Sequence, residues 1–196
     1  EHFNGIRMEN VSYGYKGRSK ALQNLSLTVP KGFVIALVGL SGCGKSTTAS
    51  LLMRFCDAAA GHIYMDGKDY HSMKPEELRK HIAMVPQQVN LFSGTIRENL
   101  LLADPDADDQ TLMEAVKEAG LLKFVQSLEK GLNSDVGNAG ASLSGGQRQK
   151  IGIARALLSK SEYMIFDEAT SSVDPESEKE IWETIGHLAH TRTLII

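Results

Sequence analysis

The sequence predicts a parallel α/β core that carries a helical lobe. Three observations predict it. Strand and helix patterns alternate at both ends of the chain. Two apolar runs, Phe33–Val38 and Tyr163–Phe166, are too short for helices and apolar enough for strands buried on both faces. Between them, residues 95–130 carry the periodicity of helices. Alternating strands and helices favour a parallel sheet, and a helical block set between two such regions reads as an insertion.

The elements follow in order. Arg7–Tyr15 and Leu25–Val29 alternate apolar and polar residues, the pattern of half-buried strands. Pro30-Lys31-Gly32 is a turn, and Phe33–Val38 the buried strand after it. Thr47–Phe55 reads as a helix with Leu51, Leu52 and Phe55 on one side. Ile63–Met65 and then Asp66-Gly67 give a strand and a tight turn. In the middle third, Leu112, Val116 and Ala119 share one helical face, and Leu121, Leu122, Val125 and Leu128 another, with Gly120 between. Gln147–Leu158 is a further helix with Ile151, Ala154, Leu157 and Leu158 inward. Asp174-Pro175-Glu176 opens the last helix with a capping acid, a proline at the first helical position and an acid in the first turn. Its apolar face is Ile181, Trp182, Ile185 and Leu188, and Thr193–Ile196 begins a strand.

Composition narrows the function classes. Of 196 residues, 21 are Lys or Arg and 24 Asp or Glu, a net charge of −3 that argues against binding a nucleic-acid backbone. The longest apolar stretch, Phe33–Leu40, is far short of the about 20 residues a membrane-spanning helix needs. No charged-then-apolar leader opens the sequence, so no secretion signal is expected. Cys43 and Cys56 stand 13 apart without metal-ligand spacing and read as reduced thiols.

Gly39-Leu40-Ser41-Gly42-Cys43-Gly44-Lys45-Ser46, followed by Thr47, fits the pattern G-x-x-x-x-G-K-[ST] between a strand and a helix. Its glycines let successive N–H groups converge on phosphate oxygens, and the next helix aims its positive end at the same anion. Lys45 supplies charge to the terminal phosphates, and the Ser46 hydroxyl can ligate Mg²⁺. Asp167 and Glu168 follow the apolar strand Tyr163–Phe166. At the carboxyl end of a parallel strand, Asp167 suits the metal and Glu168 can polarise a water for attack on a γ-phosphate. In Leu143-Ser144-Gly145-Gly146-Gln147, Ser144 caps a helix whose first turn offers N–H groups across two glycines, a second anion site more than 100 residues after the first.

The pentapeptide Leu143–Gln147, set between the phosphate loop and Asp167-Glu168, resembles the signature of the ATP-binding cassette (ABC) ATPases, and the resemblance covers essentially the whole chain. It implies a P-loop NTPase core with a parallel sheet, an N-terminal antiparallel β lobe and an inserted α-helical lobe. One domain, 1–196, would hold the core and β lobe in 1–86 and 160–196, and the helical lobe with the signature in 87–159. The resemblance further implies that Tyr15 stacks on adenine and that Gln87 meets Mg²⁺ and the attacking water, with Gln88 its adjacent rival. Lys45, Gln87 and Glu168 are then the catalytic set, and Ser46, Gln87 and Asp167 the metal set. Tyr15, Gly39, Ser41, Gly42, Cys43, Gly44, Lys45, Ser46, Thr47, Ser144, Gly145, Gly146 and Gln147 would bind ATP. Ser171–Asp174 is similar to the D-loop, which crosses to a partner cassette.

Leu91–Asn99 and Asp167-Glu168-Ala169-Thr170 are similar to exporter-type cassettes. Exporters usually carry Glu where Asn138 stands. The family's switch histidine would follow Thr193–Ile196, which implies a piece of a longer chain; His187 and His190 do not match that motif. The expectation is an ATPase motor at the cytoplasmic side of a membrane, pairing with a second nucleotide-binding domain on MgATP and fused to a transmembrane domain. The alternatives are a soluble ABC ATPase without a membrane partner, and a nucleotide-binding fragment that hardly hydrolyses ATP.

Overall fold

The computed structural model describes residues 3–14, 20–40 and 42–196. Tyr15 and Ser41 therefore lie outside the described residues. The chain divides into two compact units.

The first unit, Glu1–Met84 with Glu162–Asp167 and Thr191–Ile196, contains two sheets. The antiparallel sheet is built from β1 (Gly5–Gly14), β2 (Lys20–Pro30), β4 (Ala60–Met65) and β5 (Lys68–Asp69), in the order β2-β1-β4-β5. The second sheet is built from β3 (Val34–Ile35), β6 (Ile82–Val85), β7 (Tyr163–Phe166) and β8 (Thr193–Ile195), in the order β3-β8-β7-β6. In it β8 runs parallel to both β3 and β7. Helix α1 (Lys45–Leu52) follows β3, and the short α2 (Pro75–Leu78) precedes β6. One core joins the sheets: Ile6, Met8 and Val11 of β1, Leu51 and Leu52 of α1, and Tyr163 and Ile165 of β7 are all buried in it. The Tyr163 hydroxyl donates to Asp66 Oδ1 at 2.7 Å, so its burial leaves no unpaired polar group.

The second unit, Val85–Ser161 with Glu168–His190, is helical: α3 (Ile96–Leu101), α4 (Asp109–Glu118), α5 (Leu122–Ser127), α6 (Gly145–Leu158) and α7 (Pro175–Leu188). Four of the five have a side-chain cap read from the sequence's own polar residues. Thr95 and Ser144 form capping boxes with Glu98 and Gln147, and Asp108 and Asp174 accept from N–H groups of the first turn. The hub beneath α3 is polar. Asn99, 1% exposed, donates to Phe92 O and Thr95 O and accepts from Phe92 N and from Arg155. Arg155 also donates to Asn99 O and Asn90 O, which ties α6 to the segment before α3.

Three expectations are corrected. Phe33–Val38 forms a strand only over Val34–Ile35, and Phe33, Val34 and Val38 are exposed. In its sheet β3 is an edge strand among the described residues, paired with β8. Phe55 lies beyond the end of α1, which stops at Leu52, and is exposed with the Arg79 guanidinium 5.1 Å above its ring. Trp182 is also exposed, because Ile181, Ile185 and Leu188 already define the buried stripe of α7 and Trp182 stands one helical step round from it.

Candidate functional site

The first unit assembles the phosphate-loop residues. The loop leaves β3, and Asp167 leaves β7, both at the carboxyl ends of strands in the same sheet. Gly42 and Gly44 take left-handed backbone, φ 80° and 106°. Gly44 is the N-cap of α1; no side chain caps this helix and no acid stands in its first turn. Its N–H donors and positive end are thus left for an anion. Lys45 donates to Gly39 O, folding its ammonium back over the loop. A Cβ on Gly39 would meet Cys43 Sγ at 2.4 Å, so a side chain there would force the Cys43 thiol to shift. Thr47 is buried on the inner side of α1, while Cys43 and Ser46 are exposed.

Ser46 Oγ donates to Asp167 Oδ1 at 3.0 Å, across 121 residues of sequence. Two ligand oxygens on neighbouring corners of a Mg²⁺ octahedron, each about 2.1 Å from the ion, lie about 3 Å apart. The two oxygens of the pair stand at a separation of that size.

The second unit assembles the remaining residues. Ser144 Oγ accepts from Gln147 N at 3.1 Å, and Gln147 Oε1 accepts from Ser144 N at 2.9 Å. No acid occupies the first turn of α6. A Cβ on Gly146 would strike Ser177 Oγ at 2.4 Å, so this glycine lets the start of α7 approach. Gln87 Nε2 donates to Ser171 Oγ at 2.9 Å, and Ser171 Oγ donates to Glu168 O at 3.0 Å. Ser171 thereby links Gln87 to the backbone of Glu168, 81 positions away in sequence. Glu168 is exposed and has φ 50°, left-handed backbone that is uncommon outside glycine and turns the chain sharply after β7.

Sequence reasoning missed two residues here. Ser171 was read only as part of the D-loop motif, not as the bridge between Gln87 and Glu168. Gln149, 4% exposed, donates to Pro86 O and Gln87 O, and so fastens the Gln87 segment to α6. Its signal was present: a polar residue carried into the buried face of a helix, as Gln149 and Lys150 are in α6, needs a partner there. Of the two glutamines, Gln87 makes the hydrogen bond toward Glu168. Asn138, where a Glu was expected, accepts from Ser93 Oγ at 3.3 Å and pairs its segment with the turn before α3.

Comparisons with known proteins place the chain in a family. Residues 22–171 match the family described as ABC transporter. The chain is 47% identical over 195 residues to the ABC-type transporter kk1G of Curvularia clavata, covering 98% of this chain and 15% of that protein. It is 44% identical over 193 residues to the ATP-dependent lipid A-core flippase of Haemophilus influenzae, covering 97% of this chain and 33% of that one. Among solved structures, a bacterial Atm1-family ABC exporter with ATP bound superposes with a TM-score of 0.89 at 37% identity, covering 98% of this chain and 34% of that one. The chain thus spans between 15% and 34% of the length of these relatives. With its glycine-lined loop, its Ser46–Asp167 pair and its serine-capped α6, the chain belongs to the ABC transporter family, as a nucleotide-binding domain of the exporter type.

Proposed function

We propose that this chain is the ATP-hydrolysing motor of an exporter, organised as one domain with core and β lobe in 1–86 and 160–196 and a helical lobe in 87–159. The observation that carries the reading is the Ser46–Asp167 hydrogen bond, which sets a hydroxyl and a carboxylate together beside an uncapped helix start. ATP phosphates lie along the loop from Gly39 to Thr47, against its N–H groups and Lys45. Tyr15 stacks on the adenine. Mg²⁺, when bound, neutralises phosphate charge, and Ser46, Asp167 and Gln87 are the residues that would hold it.

Glu168 takes the proton of the attacking water, and Gln87, steadied by Ser171, orients that water. The serine-capped start of α6, Ser144 to Gln147, grips the γ-phosphate held by a second cassette, identical or diverged. Nucleotide then bridges two chains, and cleavage of the γ-phosphate releases them, a population shift that drives a fused transmembrane domain at the cytoplasmic face of a membrane. Among the described residues, no helix is long and apolar enough to cross a bilayer, so that transport domain is assigned to the rest of a longer parent chain.

Phosphate release at saturating MgATP tests the reading. Glu168→Gln is expected to lower turnover by roughly 10²–10⁴ while retaining ATP binding. Lys45→Ala is expected to weaken ATP binding itself. Turnover in Glu168→Gln equal to that of the unaltered chain would remove the general base, and unaltered turnover after Ser144→Ala with Gly145→Val would remove the two-chain site.

A further inference from the structure

A cluster in the antiparallel sheet takes no part in the nucleotide chemistry. The Asp66-Gly67 turn pairs β4 with β5, setting Tyr64 opposite Asp69. His62 lies two residues before Tyr64, on the same face of β4, and the two rings stack with centroids 6.0 Å apart. Directly after β5 the chain enters a 3-10 turn, Tyr70–Ser72, whose N-cap is Asp69. That turn swings His71 back beside its own cap. Asp69 Oδ1 accepts from His71 N at 2.8 Å and stands 3.1 Å from His71 Nδ1, while Oδ2 stands 2.9 Å from His62 Nδ1.

The carboxylate is thus flanked by two imidazoles, both presenting Nδ1. We propose that His62, Asp69 and His71 form a site for a first-row divalent transition ion, with zinc as the type case. The donor chemistry fits: two imidazole nitrogens and one carboxylate oxygen are the ligand set of open, three-ligand zinc sites. The spacing fits as well. Ligands about 2.0–2.1 Å from a tetrahedral ion lie about 3.3 Å from one another, and one donor atom from each of the three residues lies within 4.8 Å of the others. Both imidazoles are more than half exposed, so small rotations close the remaining gap without disturbing a packed core.

The neighbouring charges discriminate this cluster from an ordinary ion pair. His81 also faces a carboxylate, that of Glu162, but Lys31 already neutralises it. Among the described residues Asp69 is paired with histidines and with no lysine or arginine. On binding, each Nδ1 lone pair enters the coordination sphere, and the ring proton it shared with Asp69 moves to Nε2 through solvent. Water fills the open positions. The ion would clasp β4 to the turn after β5, at residues distinct from Ser46, Asp167 and Gln87.

Zinc titration of the 196-residue chain against a competing chromophoric chelator, at near-neutral pH, tests the proposal. One ion per chain is expected, weakened more than tenfold in His62→Gln and in His71→Gln and unchanged in His187→Gln. Long-range ¹H–¹⁵N spectra of the histidine rings supply a readout that folding alone does not move. Zinc should shift the Nδ1 signals of His62 and His71 and leave those of His187 and His190 in place. Equal affinity in the His62→Gln/His71→Gln double variant, or shifts spread over all histidines as from adventitious surface binding, overturns the site. Asp69 is left intact throughout, because its loss would also uncap the turn.

Discussion

Gly44 carries two constraints at once. Its φ of 106° is left-handed, and a Cβ there would sit 2.6 Å from Leu22 Cδ2 and 3.0 Å from Ala21 O. Gly44→Ala is expected to cost at least about 1–2 kcal/mol from the backbone alone, read as a lowered urea midpoint, and to abolish nucleotide binding because the N–H groups of α1 turn away. An unchanged midpoint would contradict the strain argument. The neighbouring Cys43 is exposed at the loop, whereas burial pushes the Cys56 thiol up, with a hydrogen bond to Tyr13 opposing it. A maleimide is therefore expected to modify Cys43 first and to block ATP binding, and MgATP to protect it; peptide mapping that finds Cys56 labelled first would reverse this reading. The loop's residue types were legible in the sequence, since phosphate binding needs glycine, lysine and hydroxyl in fixed order. The partners of Gln87 were not, because Ser171 and Gln149 reach it only through folding.

Among the elements, the helices of the second unit are set by their first turns. Thr95→Ala removes the Oγ that accepts from Glu98 N and is expected to destabilise the chain by about 1 kcal/mol. Asn99→Ala removes the buried amide that donates to Phe92 O and Thr95 O and accepts from Phe92 N and Arg155, so its cost should exceed that of the cap, about 2–3 kcal/mol in chemical denaturation. A smaller loss than Thr95→Ala would mean that the hub does not hold α3 to α6. Caps and apolar stripes are local and could be read from spacing; Asp174-Pro175 and Ser144 both open helices as expected. The length of β3 could not be read so. An apolar run describes what a strand could bury, while the number of neighbours it meets is a property of sheet order.

Taken whole, the molecule responds to acid through carboxylates that the fold stabilises in ionised form. The Lys31 hydrogen bond and charge hold Glu162 below its ordinary value of 4.5 against the opposing effect of burial, with His81 assisting. Asp174 is held below 3.8, chiefly by the Ser177 N–H. A depressed native value means that the unfolded chain binds more protons in acid, so this stability is complete above the ordinary values and is lost as pH falls through the native ones. Thermal midpoints should drop as pH falls below about 4.5, and Glu162→Gln should flatten that slope; an equal slope in the variant would assign the acid response elsewhere. What the sequence by itself determined were the alternation of strands and helices, the glycine-rich loop motif, the serine cap of α6 and the family, because each depends on residue types a few positions apart. Only the tertiary structure decided that Ser46 meets Asp167 across 121 residues, that Ser171 joins Gln87 to Glu168, and that two histidines enclose Asp69. Those contacts arise from strand order and turn geometry, which bring together positions that no local pattern relates.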